Sequence, residues 1–362
     1  MTSVAVLGAG AGGLATLVEL SASGHDVSLW HPNRERLDRY RRHGVRFSGV
    51  LGDGVARPAA LTDDLSRALS TCEVVVVSLP AFFHPEIFDS LARAELRRPV
   101  VLSPGHTGGA LHMREVFRRN DVADPVVAEL STLPYVARVD DAGGVCITGR
   151  AQALRCGVLP GGDDAARAAD ALFSSELCFG DVLLSSLSNV NLVLHPPGAL
   201  LGASWIEATH GAFTFYVEGV TPGVASVIEA LDDERRALGG CFGLDLPRLV
   251  EEMARIGTVQ RPLPAATSPA AQTAAAIASG EANRALRAPT SLAHRYYKED
   301  FPFGLAPFCA LAEVAGLDVP VAESLWVVGR VLAGAAMPPP LDRAALGLAG
   351  VGLDELIARV RS

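Results

Sequence analysis

The stretch Val4-Ala5-Val6-Leu7-Gly8-Ala9-Gly10-Ala11-Gly12-Gly13-Leu14 limits this chain more than any other. Four apolar residues in a row read as a short strand buried on both faces. Gly8-x-Gly10-x-x-Gly13 follows, and then Leu14, Ala15, Leu17, Val18 and Leu20 recur at helical spacing. Gly8 suits the tight strand-to-helix turn, Gly10 lets a pyrophosphate approach the backbone, and Gly13 lets the helix lie close on the strand. The unpaired N–H groups of the helix start then face the phosphates. A lone Gly-x-Gly-x-x-Gly means little, but here the strand before it, the helix after it and a second strand from Asp26 supply the context it needs. The stretch reads as a dinucleotide site.

Short valine-rich runs continue the pattern at residues 45–50, 73–78, 100–102 and 126–128, with helix-like segments between them. That is how a parallel sheet covered on both faces is written. Residues 144–149 and 155–159 read as two further strands. From about Asp181 the strands stop and alanine- and leucine-rich segments take over, at 183–209, 224–242, 246–256, 270–286, 306–315, 319–335 and 353–360. The expected architecture is α/β: an N-terminal Rossmann domain over residues 1–181, followed by an all-helical C-terminal domain over 182–362. A chain of 362 residues can give each its own core.

The balance of charge narrows the partners. A net charge of −9 without a basic stripe argues against nucleic acid. No apolar run is long enough for a membrane span, and the first strand begins almost at Met1, so no cleaved leader is expected. Six scattered cysteines without a C-x-x-C pair read as reduced thiols of a cytoplasmic protein, and the nine histidines show no metal-ligand spacing. The apolar helical half suits either a buried core or a homodimer.

In NAD-type units an Asp or Glu about 20 residues past the glycines binds the ribose hydroxyls. Here that position is His31, and Arg34 and Arg36 follow. Without a carboxylate to repel it, a 2′-phosphate could pair with Arg34, which favours NADP(H) over NAD(H). The alternative is that both arginines sit on a solvated helix start.

Two stretches of the helical half stand out. Asn189-Val190-Asn191-Leu192-Val193-Leu194-His195-Pro196-Pro197-Gly198 breaks an apolar run with polar groups, and its two prolines should break or restart the helix. Arg295-Tyr296-Tyr297-Lys298-Glu299-Asp300-Phe301-Pro302-Phe303-Gly304-Leu305 reads as a charged, aromatic loop before another helix. A His and an Asp here could form an acid–base pair, or a core histidine and a turn former.

These motifs resemble those of the opine dehydrogenases of the octopine and nopaline dehydrogenase type. The resemblance also takes in Ser78-Leu79-Pro80-Ala81-Phe82, Ser103-Pro104-Gly105, Ala128-Glu129-Leu130-Ser131-Thr132-Leu133-Pro134-Tyr135 and Phe213-Thr214-Phe215-Tyr216-Val217-Glu218-Gly219, and so runs nearly the whole length. It implies condensation of an amino acid's amine with an α-keto acid and reduction of the imine by NAD(P)H. The family's catalytic His falls on His195 and its partner carboxylate on Asp300, and closure of the helical domain over the Rossmann domain is expected. Pro80 joins the glycines, His31 and Arg34 as a cofactor contact. Asn191, Thr132, Tyr135, Tyr216 and Glu218 are candidates for the substrate pocket, and Arg295 or Arg138 for the keto-acid carboxylate. Leu192 departs from the family, which often has proline there. Two other readings stay open: a 2-keto or 3-hydroxy acid dehydrogenase of similar architecture, which would use a Lys where this chain has His195, and a non-catalytic NADP(H) sensor. Lys298 is the chain's one lysine.

Overall fold

A computed structural model describes residues 1–361. They pack as two units: Met1–Gly105 with Met113–Val182, and His106–His112 with the chain from Leu183 onward. The helical unit thus borrows the short segment His106–His112 from the N-terminal half, which the division at residue 181 did not foresee. Thr107 and Gly108 explain why. The Thr107 N–H donates to the Phe303 carbonyl, and the Gly108 N–H to Ser186 Oγ at 2.9 Å.

The first unit is built on an eight-stranded sheet. Its strands are β1 (Ser3–Leu7), β2 (Asp26–Trp30), β5 (Ala60–Thr62), β6 (Val74–Val77), β7 (Val100–Leu102), β8 (Val127–Leu130), β11 (Ala153–Val158) and β12 (Glu176–Asp181), in the order β12-β11-β8-β7-β6-β1-β2-β5. All neighbours are parallel except β11, which runs antiparallel to β8. Val4 to Leu7 and Val74 to Val77 are buried throughout, as the valine runs require. Strand order reverses between β1 and β6, the place where ligands of such sheets bind.

Residues 45–50 do not extend this sheet. β3 (Val45–Gly49) joins β4 (Gly54–Ala56), β9 (Tyr135–Val139) and β10 (Val145–Arg150) in a separate four-stranded sheet, ordered β4-β3-β10-β9. The reason is visible in the residues. Val45 is buried while Arg46 and Ser48 alternate outward, so the strand cannot be covered on both faces. Helix α1 (Ala11–Ala22) ties this small sheet down. Its buried Glu19 accepts hydrogen bonds from Tyr135 Oη, Arg150 Nη1 and Ser174 Oγ, which satisfies a carboxylate that would otherwise be costly to bury.

The second unit is helical. The apolar segment 183–209 divides into helices Val182–Leu187, Val190–Leu201 and Ala203–Thr209, the first of which starts at the junction. Further helices span Pro222–Cys241, Leu249–Ile256, Pro269–Ser279, Ala306–Ala315, Pro320–Ala333 and Leu353–Arg361. Two local expectations fail here. Pro196 and Pro197 do not interrupt Val190–Leu201; each lacks the N–H that an i→i−4 bond to Leu192 or Val193 would need, and both are buried, which offsets that loss. Nor is the charged, aromatic stretch a loop. Tyr296–Leu305 winds as a π-helix and runs directly into Ala306–Ala315. Its side chains from Tyr296 to Leu305 are buried apart from half-buried Lys298, so helical bonding is how its backbone stays satisfied. Among the described residues, no helix is long and apolar enough to cross a membrane.

Candidate active site

The glycine loop sits at the strand-order reversal. Gly8 has φ +123°, and a Cβ there would lie 2.3 Å from the Ser78 carbonyl oxygen. A Cβ on Gly13 would lie 1.9 Å from the Gly8 carbonyl oxygen, so the helix start can approach the loop only without one. At Gly10 a Cβ would meet no protein atom within 4 Å, which leaves the space above the loop open. Gly10 also caps α1 without a side-chain acceptor, so the first N–H groups of the helix face outward unpaired by any cap. Those two features fit a pyrophosphate. Pro80 follows β6 and precedes a short 3₁₀ turn (Ala81–Phe83), next to the loop through Ser78.

At the end of β2, His31 is half-buried and its Nδ1 accepts the Asn33 N–H at 3.0 Å. Burial, and then Arg36, lowers its pKa, so the ring is neutral at pH 7. Arg34 is exposed at the first position of α2 (Arg34–His43), whose start Asn33 caps by accepting the Arg36 N–H. Charge at this corner therefore comes from the arginines and not from the imidazole.

In the helical unit, His195 lies mid-helix and is 4 % exposed. Its Nδ1 is 2.8 Å from Asp300 Oδ2, and its Nε2 is 2.8 Å from Tyr216 Oη. Tyr296 stacks on the imidazole with ring centroids 4.0 Å apart. The wide turn of the π-helix puts Tyr296 and Asp300 on one side, where both meet His195. Tyr297 Oη donates to the Ala199 carbonyl at 2.6 Å and so fixes the π-helix against Val190–Leu201. Asn189 caps that helix by accepting the Asn191 N–H, and its Nδ2 donates to Thr107 Oγ1 at 3.2 Å. Asn189 therefore orients the helix, and Asn191 is half-buried on its first turn.

Arg295 adjoins this cluster. Its side chain meets solvent although protein surrounds it; that surrounding works against the cation, but Glu299, with Tyr296, Asp300 and Tyr216, outweighs it and raises the guanidinium pKa. Glu299 also approaches His106 Nε2 at 3.2 Å, with both side chains buried. This second His–carboxylate contact was not anticipated. His106 has φ +61° and directly follows Ser103-Pro104-Gly105, which was the one available signal.

Of the other candidates, Tyr135, Arg138 and Thr132 belong to the first unit and Glu218 to the second. Tyr135 is committed to Glu19 within the first unit, and burial followed by that carboxylate pushes its phenol pKa well up. It braces the small sheet and has no free hydroxyl to offer a substrate. Arg138 lies exposed on β9. Glu218 folds back on the Thr214 N–H and hydroxyl, which lower its pKa. Thr132 is half-buried just beyond β8. Among the described residues, no three His, Cys, Asp or Glu side chains gather as metal ligands.

Residues 178–332 match the family model of the NAD/NADP octopine/nopaline dehydrogenase α-helical domain, and residues 4–104 that of ketopantoate reductase PanE/ApbA. The opine dehydrogenase of Arthrobacter sp. (strain 1C) is 30 % identical over 329 residues, covering 89 % of this chain and 88 % of that one. The vitopine synthase of Allorhizobium ampelinum is 25 % identical over 362 residues, covering 92 % and 95 %. The fold superposes on octopine dehydrogenase in complex with NADH and agmatine with a TM-score of 0.76 at 18 % identity, covering 99 % of this chain and 98 % of the other. On NADP+-bound yersinopine dehydrogenase it gives 0.72 at 16 %, covering 99 % and 98 %. The chain belongs to the opine dehydrogenase family and is an NAD(P)-dependent oxidoreductase acting on CH–NH bonds by reductive condensation.

Proposed function

We propose that this enzyme condenses the amine of an amino acid with an α-keto acid and reduces the resulting imine, with His195 as acid–base group, Asp300 as its partner and NADPH as the preferred reductant. The observation that carries this reading is the buried Nδ1–Oδ2 contact of 2.8 Å between His195 and Asp300. The carboxylate accepts from Nδ1–H, holds one tautomer and stabilises the imidazolium formed when Nε2 takes a proton. A carbinolamine loses water only when its hydroxyl is protonated, and the His195 unit supplies that proton. Arg295 binds the keto-acid carboxylate, for which a fixed positive charge beside the acid–base pair is suited. Asn191 and Tyr216, both on the helical unit, are assigned to substrate binding; Thr132, Tyr135, Arg138 and Glu218 are not. Bound at the glycine loop, the dinucleotide supplies the hydride for the imine carbon.

Two features support NADPH over NADH: the lack of a carboxylate at the end of β2 and Arg34 on the first turn of α2. The six cysteines, all free, suit a reducing cytoplasm. The proposal includes a homodimer, because Val327, Val328 and Val331 share one exposed face of helix Pro320–Ala333, and small-molecule rather than nucleic-acid partners.

The test is oxidation of NADPH and NADH by the purified protein over a grid of α-keto acids crossed with amino acids. Oxidation that needs both partners, with a secondary-amine product by mass, is expected. Oxidation with a keto acid alone overturns the assignment in favour of a keto-acid reductase.

A further inference from the structure

We propose that Tyr216 carries the proton between His195 and the substrate, so that the acid–base unit is a chain, Asp300–His195–Tyr216, and not a pair. The inference rests on the His195 role proposed above. Each imidazole nitrogen bonds along a single direction in the ring plane. Asp300 accepts from Nδ1, so that nitrogen holds the hydrogen and Nε2 is left with its lone pair. Tyr216 Oη, 2.8 Å from Nε2, donates to it. Both nitrogens are then engaged inside the protein, and a substrate atom has no line of approach to Nε2 while the phenol is there.

Nor is the phenol free to swing aside. Tyr216 is 6 % exposed, meets the Phe215 ring edge-on at 5.1 Å and shares a hydrogen bond with Tyr296. Phe215 is itself pressed against the helix that carries His195, where a Cβ on Gly198 would lie 2.8 Å from its Cζ. Burial, and then Tyr296, raises the Tyr216 pKa well above that of a free phenol, so it does not persist as a phenolate. It must give up one proton as it takes another.

The bond between the two side chains provides for this. When His195 is protonated, Nε2–H donates to Tyr216 Oη and the phenol proton is released to point elsewhere. In the dehydration step the His N–H bond breaks as a new Tyr O–H bond forms. The old Tyr O–H bond breaks as the proton joins the carbinolamine hydroxyl. The C–O bond then breaks, water leaves, and the nitrogen lone pair forms C=N. His195 ends neutral, Tyr216 is unchanged, and no oxidant or reductant takes part.

Tyr216→Phe keeps the ring and removes the hydroxyl. It should lower kcat about a hundredfold or more, with the NADPH Kd nearly unchanged. In wild-type enzyme the solvent isotope effect, followed over mixtures of H2O and D2O, should curve as two moving protons require; in the variant it should be linear. The 15N resonance of His195 Nε2, read in the cofactor-free protein, should shift in the variant because its hydrogen-bond donor is gone. Wild-type turnover in Tyr216→Phe, with His195→Ala inactive, overturns the relay and makes the phenol a removable cover. Wild-type turnover in both variants removes the His195 reading instead. Should Tyr216→Phe fail to fold by circular dichroism, the wild-type isotope curve decides alone, and a straight line refutes the relay.

Discussion

Asp300→Asn isolates what the carboxylate contributes, because it keeps the side chain's shape and removes its charge. The Nδ1–Oδ2 distance is 2.8 Å with both side chains buried. At an effective dielectric constant of about 20, two unit charges at that distance attract by about 6 kcal/mol when His195 is protonated. Desolvation of the pair offsets much of this, and an amide oxygen still accepts from Nδ1–H. The net loss is then that of a hydrogen bond to a charged group, about 1.5–3 kcal/mol. At tenfold per 1.36 kcal/mol, kcat should fall about 10- to 150-fold. The glycine loop lies in the other unit, so NADPH affinity should hold. Steady-state NADPH consumption at saturating amine and keto acid measures the first quantity, and fluorescence titration of the cofactor the second. A variant within threefold of wild type, folded and binding NADPH normally, would refute the argument and leave Asp300 a packing residue.

Arg34→Ala should weaken NADPH binding about tenfold or more, as loss of a charge-assisted contact to a 2′-phosphate requires, and leave NADH within twofold; equal losses in the two titrations would make Arg34 a surface residue. Gly13→Ala should abolish dinucleotide binding and lower stability by about 1–3 kcal/mol, because its Cβ would meet the Gly8 carbonyl, a backbone atom that no rotamer change can move. An unchanged Tm and Kd would contradict that. Burial, assisted by nearby carboxylates, pushes the Cys156 and Cys309 thiols up to about 12 from 9.0. Between these pH values the unfolded chain has lost protons that the folded chain keeps, so stability should fall as pH rises from about 9 towards 12. Urea midpoints across that range, compared with Cys156→Ala, should show the decline flattened in the variant.

Where a local pattern met no competing tertiary demand, the chain was legible. The four apolar residues before Gly8 had to be buried on both sides, and only glycine satisfies the crowding at Gly8 and Gly13. The valine runs at β6 and β7 and the helix Ala306–Ala315 emerged at their expected places for the same reason. Residues 45–50 were harder, since a run of alternating valine, arginine and phenylalanine states that a strand is half-covered but not which sheet it joins. The prolines of Val190–Leu201 misled because proline's cost is local, while the burial that offsets it comes from distant segments.

The sequence by itself determined the dinucleotide-binding architecture, the helical second half and the family. These depend on short-range periodicity, on glycines whose neighbours in the chain are also their neighbours in space, and on motifs in order. It also singled out His195 and Asp300, 105 residues apart, but only tertiary structure could bring them to 2.8 Å. The same packing wound Tyr296–Leu305 into a π-helix, stacked Tyr296 on the imidazole, set His106 against Glu299 and turned Tyr216 onto Nε2. It likewise withdrew Tyr135 to serve Glu19. Each of these is a contact between segments remote in sequence. Their partners are chosen by which buried polar groups must be satisfied once the helices pack, and no local pattern of residues encodes that choice.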